Sequence, residues 1–148
     1  METIDAVRLP PGWRAPFPVE IAADKEAASA KEDLWATRPG HRIYTDGSDY
    51  EDGIGASAVL YRPRTAEPIV LRYHLGPSSR HTVYKAEIIG LILGVFLLLR
   101  LLSVAAASCA ADNTPCLLAY QNRRPHPAHY LIDHLLHDLT ALQDRHPC

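Results

Sequence analysis

The sequence predicts a single α/β domain, and three observations support this prediction. The chain has 148 residues, of which 47% are apolar and 22% charged, so it can bury one compact core. Three short runs of strand-like composition come first, and longer runs with helical periodicity follow. From about His41 onwards the predicted order of elements is β-β-β-α-β-α-α.

Composition limits the class of protein. The formal net charge of -2 and pI of about 6.4 show that the chain is not basic overall. Any contact with nucleic acid must therefore use a local basic patch. Cys109, Cys116 and Cys148 are odd in number and lack C-x-x-C spacing, which predicts free thiols, the first two buried as small apolar side chains. The N-terminus has no apolar signal segment. We expect an intracellular protein, nuclear or cytoplasmic and not secreted, and a monomer by default.

Residues 1–40 differ from the rest of the chain. They contain five of the twelve prolines and mix charges without a period, apart from one helical patch, "EIAADKEAASAKEDLWA". We interpret them as a Pro-rich linker or arm with a possible short helix. Residues 41–148 form the predicted domain.

Three strands are predicted to open this domain. Residues 42–45 form the first, "IGASAVLYR" the second and "PIVLRYHL" the third. The dipeptide Asp52-Gly53 supplies turn chemistry between the first two. Asp46 is expected at the end of the first strand, beside a flexible turn at Gly47 and Ser48.

A long helix is predicted from about Val83 to Leu102, with Thr82 as its N-cap. Small residues recur at four-residue spacing at Ala86, Gly90 and Gly94, which would let this helix approach a sheet closely. It is apolar nearly all round, so it should be central. Its uncharged run, "IIGLILGVFLLL", has twelve residues, whereas a membrane span needs about 20.

Three further elements complete the order. A fourth strand is predicted to end at Asp112, and Thr114-Pro115 starts the next helix, with proline at the first helical position. A last amphipathic helix follows a polar loop, and its apolar positions have helical spacing. These positions are Ala128, Leu131, Ile132, Leu135, Leu136, Leu139 and Leu142.

Asp46, Glu87 and Asp112 each lie at the predicted end of an element. Carboxylates that converge on one sheet edge are suitable ligands for hard divalent cations. Ordinary structural roles compete with this interpretation, since Asp-Gly favours turns, glutamate favours a first helical turn, and Asp112-Asn113 is good cap chemistry. The spacing alone does not decide between metal ligands and ordinary structural roles.

The segments "IYTDGS", "GIGASAVLY", "HTVYKAEIIGLILGV" and "AADNTPCLLAYQNRRPHPAHYLID" together resemble the ribonuclease H domain, in particular that of fungal non-LTR retrotransposon reverse transcriptases. The resemblance covers about residues 42–145. It implies a ribonuclease H-like mixed sheet with helices packed on it, and cleavage of the RNA strand in RNA/DNA hybrids. It also implies that Asp46, Glu87 and Asp112 are the catalytic acids that bind two Mg²⁺ ions, with Mn²⁺ as a substitute.

The sequence departs from this family at its C-terminal end. Members continue with a fifth strand, a W-V-P-G-H-type loop that carries a catalytic histidine, and a final helix with a fourth metal-binding aspartate. We therefore expect an incomplete domain, and the alternative function is a catalytically inactive remnant that at most binds metal or nucleic acid.

Weaker candidates for nucleic-acid contacts are Ser48, Asn113, Arg123 and Arg124. A zinc site formed by four histidines with Asp133 is a further alternative, although a solvated helix face explains these residues more simply. These histidines are His126, His129, His134 and His137.

Overall fold

The computed structural model of the protein describes residues 16–122 and 128–146. The order of elements over the predicted domain is confirmed, and one helix precedes it within the predicted arm. The elements are α1 (Lys25–Ala36), β1 (His41–Tyr50), β2 (Gly53–Tyr61), β3 (Ile69–Pro77), α2 (Val83–Leu99), β4 (Ala107–Ala111), α3 (Thr114–Asn122) and α4 (His129–Arg145).

The four strands form one mixed sheet in the order β3-β2-β1-β4. β2 is antiparallel to both β1 and β3, whereas β4 runs parallel to β1. Thr45 on β1 stands between Ala58 of β2 and Ala111 of β4. β1 is therefore an inner strand, and β4 ends beside the middle of it.

The hairpin between β1 and β2 turns one residue earlier than the predicted Asp52-Gly53 turn, and its first strand is longer than predicted. Glu51 and Asp52 form the turn with φ of 48° and 61°, and Gly53 is already paired with Tyr50. Two left-handed turn residues match the right-handed twist of the flanking strands, so a two-residue turn is favoured here. β1 consequently runs five residues past its predicted end, and Asp46 lies inside the strand rather than at its end.

α2 packs across β1 and β2, as its small residues predict. A Cβ added at Gly90 would lie 3.2 Å from the Ser57 carbonyl oxygen, and one at Gly94 would lie 2.8 Å from Cγ2 of Ile43. The Thr82 side chain accepts a hydrogen bond from the Lys85 amide, which confirms the predicted N-cap. The helix ends three residues before its predicted end.

The core lies between the sheet and the helices. Alternate residues of β2 are buried towards α2, and the amphipathic pattern of α4 is confirmed because Ile132 and Leu135 are among its buried residues. α4 packs on α2. Within the described ranges, no helix is long and apolar enough to cross a membrane.

The segment before α1 is attached to the domain. The Phe17 amide donates to the Tyr120 hydroxyl at 3.0 Å, and this hydroxyl donates to the Phe17 carbonyl at 3.1 Å. Phe17 and Val19 also pack against the core. α1 itself has no buried residue, but its Glu32 side chain forms a hydrogen bond with Tyr44 of β1.

The two described cysteines differ in environment. Cys116 is buried, as predicted. The Cys109 residue as a whole is exposed, but burial raises the pKa of its thiol to about 12, so the prediction holds for the thiol and not for the whole residue. Cys109 lies on β4, and in the described part of the chain this strand pairs only with β1. An edge strand with small side chains leaves much of its surface accessible.

Candidate metal centre

The structure brings together the three carboxylates that the sequence singles out. Asp46, Glu87 and Asp112 each offer one oxygen, and these oxygens all lie within 4.8 Å of one another. The residues come from β1, from the start of α2 and from the end of β4. Because β4 is parallel to β1 and ends opposite Thr45, Asp112 lies next to Asp46.

Asp46 is exposed, whereas Thr45 beside it is buried. Successive side chains of a strand point to opposite faces, so Thr45 packs towards α2 and Asp46 points away from the core. Asp46 is paired with Ser57 on β2. A carboxylate on an inner strand is thus held on rigid backbone but remains accessible.

Glu87 is the buried member of the cluster, with 4% of its surface exposed. Burial raises its pKa to about 7, the Gly47 backbone N–H opposes this rise by donating to the carboxylate, and the negative charges of Asp112 and Asp46 add to the rise. One oxygen, Oε2, is buried and has no hydrogen-bond partner among residues 16–122 and 128–146. Such an oxygen normally finds a donor or a cation.

Asp112 follows β4 directly and is exposed. Asn113 beside it caps α3, because its Oδ1 accepts a hydrogen bond from the Cys116 amide at 3.1 Å. Thr114 and not Pro115 is therefore the first residue of this helix, which places the proline one position later than predicted. Because Asn113 caps α3, the backbone next to Asp112 is held in a fixed position.

Gly47 is the residue of the site that sequence reasoning missed, since Asp46-Gly47 was interpreted as the start of a turn. A Cβ at Gly47 would lie 2.7 Å from the Glu87 nitrogen and 3.0 Å from Cβ of Ala86. Only glycine allows α2 to start this close to β1. No local pattern distinguishes a glycine of this kind from a turn glycine.

The donor set suits a divalent cation. Three carboxylates offer hard oxygen ligands of the kind that Mg²⁺ and Mn²⁺ prefer. The buried Glu87 Oε2 has no donor within the described part of the chain. The two aspartates are open to solvent, so an ion here would keep positions for water or substrate. The residues present therefore fit such an ion.

The other candidate residues stand outside this cluster. Ser48 is exposed on β1 two residues beyond Asp46, and so shares its face of the sheet. The Asn113 side-chain oxygen is used by the helix cap. Arg123 and Arg124 lie outside the described residues.

The zinc alternative receives no support from the described histidines. His129 approaches Asp133 at 3.5 Å and His134 approaches Asp138 at 3.2 Å, each one helical turn apart. His126 lies outside the described residues. Across residues 16–122 and 128–146, the three carboxylates are the only group of three or more histidine, cysteine or acidic side chains close enough to share an ion.

Comparisons with known proteins place this site on a known fold. No protein-family profile and no curated protein sequence matches the chain. Among solved structures it is similar to the N-terminal RNase H domain of Rv2228c from Mycobacterium tuberculosis, solved as a fusion with maltose-binding protein. That match has a TM-score of 0.55 and 19% identity, over 74% of this chain and 77% of the other.

It is also similar to RNase H1 from the halophilic archaeon Halobacterium salinarum NRC-1. Here the TM-score is 0.54 and the identity 12%, over 72% of this chain and 79% of the other. Together with the four-stranded mixed sheet and its packed helices, these likenesses show that the chain has a ribonuclease H-like fold. The predicted fold class is confirmed.

Proposed function

We propose that this protein is a divalent-metal-dependent endonuclease of the ribonuclease H type, which hydrolyses the RNA strand of RNA/DNA hybrids. The observation that carries the proposal is the convergence of Asp46, Glu87 and Asp112 within 4.8 Å on a ribonuclease H-like fold. Residues 41–148 would form the catalytic domain, with 1–40 as an arm.

The roles of the three acids follow from their surroundings. Asp46 and Asp112 are exposed and would bind the metal where solvent and substrate can reach it. Glu87 would bind from the protein side, oriented by the Gly47 N–H. When bound, two Mg²⁺ ions, or Mn²⁺ in their place, activate a water molecule and stabilise the leaving oxygen in phosphodiester hydrolysis.

The proposed substrate is a hybrid duplex rather than a particular base sequence. The two similar structures bear ribonuclease H names, and recognition of RNA in a duplex uses helix shape and 2′-hydroxyl groups. Ser48, on the Asp46 face of β1, is a proposed contact. Asn113, Arg123 and Arg124 are the other proposed contacts, and the sequence resemblance further suggests origin from a retroelement.

A labelled RNA strand annealed to DNA tests this function in the presence of Mg²⁺. Asp46→Asn should reduce cleavage at least about a hundredfold, because the neutral amide is a poor ligand for a hard cation. Asp49→Asn is the matched control: Asp49 is exposed on the same strand but outside the cluster, so cleavage should persist. Equal cleavage by wild type and Asp46→Asn would refute the assignment.

The cleavage assay, combined with two binding measurements, distinguishes the enzyme from the inactive remnant. Mn²⁺ binding and hybrid binding are measured separately on the folded chain, for example by calorimetry and by fluorescence anisotropy. Binding without cleavage of the RNA strand would identify a remnant that binds metal or nucleic acid. Metal-dependent cleavage would show that the three carboxylates are sufficient for catalysis.

A further inference from the structure

A row of side chains crosses the sheet from the metal centre to β3. Asp46 on β1 pairs with Ser57 on β2, and Ser57 pairs with Arg72 on β3. Paired residues of neighbouring strands point to the same face of a sheet, so all three lie on the face opposite α2. Since neighbouring strands are about 4.8 Å apart, the backbones of Asp46 and Arg72 are separated by about 10 Å.

A second row runs beside the first, and its middle position has no side chain. Ser48 on β1 pairs with Gly55 on β2, and Gly55 pairs with His74 on β3. Ser57, the next residue of β2 on this face, is small. The surface is therefore low along β2, between the longer side chains of β1 and β3. We call Gly55 and Ser57 the β2 depression.

The described part of the chain does not require glycine at position 55. A Cβ there would meet the Tyr73 carbonyl oxygen at 3.6 Å and the Ser48 Oγ at 3.8 Å, which are ordinary contacts. Gly55 has no positive φ, and the extra residue of the nearby bulge is Leu75, on the other strand. Glycine inside a strand is less stable than alanine. Where packing does not explain it, it often marks a place where a ligand approaches the backbone closely.

The β3 side of the depression is basic. Arg72 is exposed, and among residues 16–122 and 128–146 no acid lies within ion-pair distance of its guanidinium. His74 is also exposed and can donate a hydrogen bond from its ring. The acids of the hairpin turn, Glu51 and Asp52, lie beyond the second row. An anionic chain would therefore cross the sheet from Asp46 to Arg72 and avoid the turn.

We propose that the sugar–phosphate backbone of the cleaved RNA strand crosses the β2 depression, and that Arg72 binds a phosphate next to the cleaved one. The inference rests on the proposed function and adds the path of the substrate on the protein. Gly55 lets a sugar pass close to the β2 backbone, and the Ser57 hydroxyl and the His74 ring offer hydrogen bonds along this path. The depression is continuous with the metal centre because Asp46 and Arg72 belong to one row.

Arg72→Gln tests the phosphate contact, with a fluorescently labelled RNA/DNA hybrid and anisotropy measured in a chelator, where the RNA strand stays intact. The dissociation constant should rise about fivefold at about 0.1 M salt, and the slope of its logarithm against log salt should fall by about 1, because one phosphate contact is lost. Arg100→Gln is the matched control. Arg100 is exposed at the far end of α2, about 20 Å along the helix from Glu87, so neither quantity should change.

Gly55→Val tests the close approach, since valine is compatible with a strand and fills the depression. Hybrid binding should weaken at least about fivefold through overpacking, and the KM of Mg²⁺-dependent cleavage should rise more than kcat falls. Gly55→Ala adds a single methyl group and should have a smaller effect. Mn²⁺ affinity, measured by calorimetry, should stay at the wild-type value in both variants, which also verifies that they are folded.

The outcomes separate this path from the proposed catalysis. If wild type cleaves the hybrid but either Arg72→Gln or Gly55→Val binds it as wild type does, the path is wrong and the enzyme assignment stands. If both variants weaken binding but wild type never cleaves, the path is supported and catalysis is refuted. A wild type that does not bind the hybrid would overturn both. Loss of Mn²⁺ affinity in Gly55→Val would overturn the path, because a distorted metal centre would then explain the weaker binding.

Discussion

Gly47 on β1 and the first turns of α2 are in such close contact that a Cβ at Gly47 would stand 2.7 Å from the Glu87 nitrogen. The Gly47 N–H donates to the Glu87 carboxylate. This N–H is available because β4 ends at Ala111, opposite Thr45, and supplies no strand partner further along β1. One glycine thus sets both the position of α2 and the orientation of the buried acid.

Replacing Gly47 by alanine should impair the cluster more than the fold. The added methyl group forces α2 away from β1, which should cost about 1–3 kcal/mol of stability, and it moves Glu87 relative to the two aspartates. We expect at least about a tenfold loss of Mn²⁺ affinity, because one of three ligands is displaced. Calorimetric titration with Mn²⁺ and urea denaturation measure the two effects.

Gly55→Ala is the control for this variant. Gly55 lies on the adjacent strand β2, where a Cβ would meet its nearest neighbour, the Tyr73 carbonyl oxygen, at an ordinary 3.6 Å. The Mn²⁺ affinity of the Gly55→Ala variant should equal that of wild type. If Gly47→Ala binds Mn²⁺ as tightly as Gly55→Ala, Gly47 does not position the site.

The stability of the metal-free protein should fall as the pH rises from about 4.5 to 7. The pKa of Glu87 is raised from 4.5 to about 7 in the folded chain, mainly by burial. In this pH range the folded state therefore holds a proton that the unfolded state has lost, and deprotonation favours unfolding. Above pH 7 the loss of stability caused by Glu87 no longer changes with pH, and it amounts to at most about 3 kcal/mol.

Glu87→Gln removes this buried charge and should stabilise the metal-free chain above pH 7, with little change near pH 4.5. Urea denaturation at pH 4.5 and pH 8 in the presence of a chelator measures the difference. Saturating Mg²⁺ should stabilise wild type but not Glu87→Gln, because the ion compensates the ionised carboxylate. A variant that is less stable than wild type at pH 8 without metal would contradict the assigned cause of the pKa shift.

The elements were predictable because each has a strong local signal. The α2 stripe at Ala86, Gly90 and Gly94 and the apolar positions of α4 were visible in the sequence and are found packed. The Thr82 cap is local in the same sense. Periodicity and capping depend on neighbours within one or two turns, so the sequence displays them directly.

The features that were missed depend on pairing between distant segments. The dipeptide Asp46-Gly47 has the composition of a turn, but the turn at Glu51 and Asp52 fixes a longer register and keeps both residues in β1. The exposure of Cys109 depends on which strands neighbour β4. Register and edge position are tertiary properties, and they override local composition.

Metal binding should weaken below pH 7. A cation binds the ionised form of Glu87, whose pKa is about 7 in the metal-free protein, so protons compete with the ion at lower pH. We expect the Mn²⁺ affinity to fall by up to about tenfold between pH 7 and pH 6 and to be nearly constant between pH 8 and pH 9. Titration calorimetry in buffers of different ionisation enthalpy also counts the released proton. Equal affinity at pH 6 and pH 8 would exclude Glu87 as the titrating ligand.

Tyr120→Phe should loosen the segment before α1 without unfolding the domain. The Tyr120 hydroxyl both accepts from the Phe17 amide and donates to the Phe17 carbonyl, while the Phe17 ring keeps its packing against the core. Loss of the hydroxyl should cost about 1–2 kcal/mol and should speed exchange of the Phe17 amide hydrogen.

Tyr130→Phe is the matched control, since this tyrosine on α4 is 56% exposed, and its removal should leave both stability and Phe17 exchange unchanged. Hydrogen exchange followed by NMR or mass spectrometry resolves the two variants. Unchanged exchange at Phe17 in Tyr120→Phe would show that apolar packing of Phe17 and Val19, rather than the hydroxyl, holds the segment against α3.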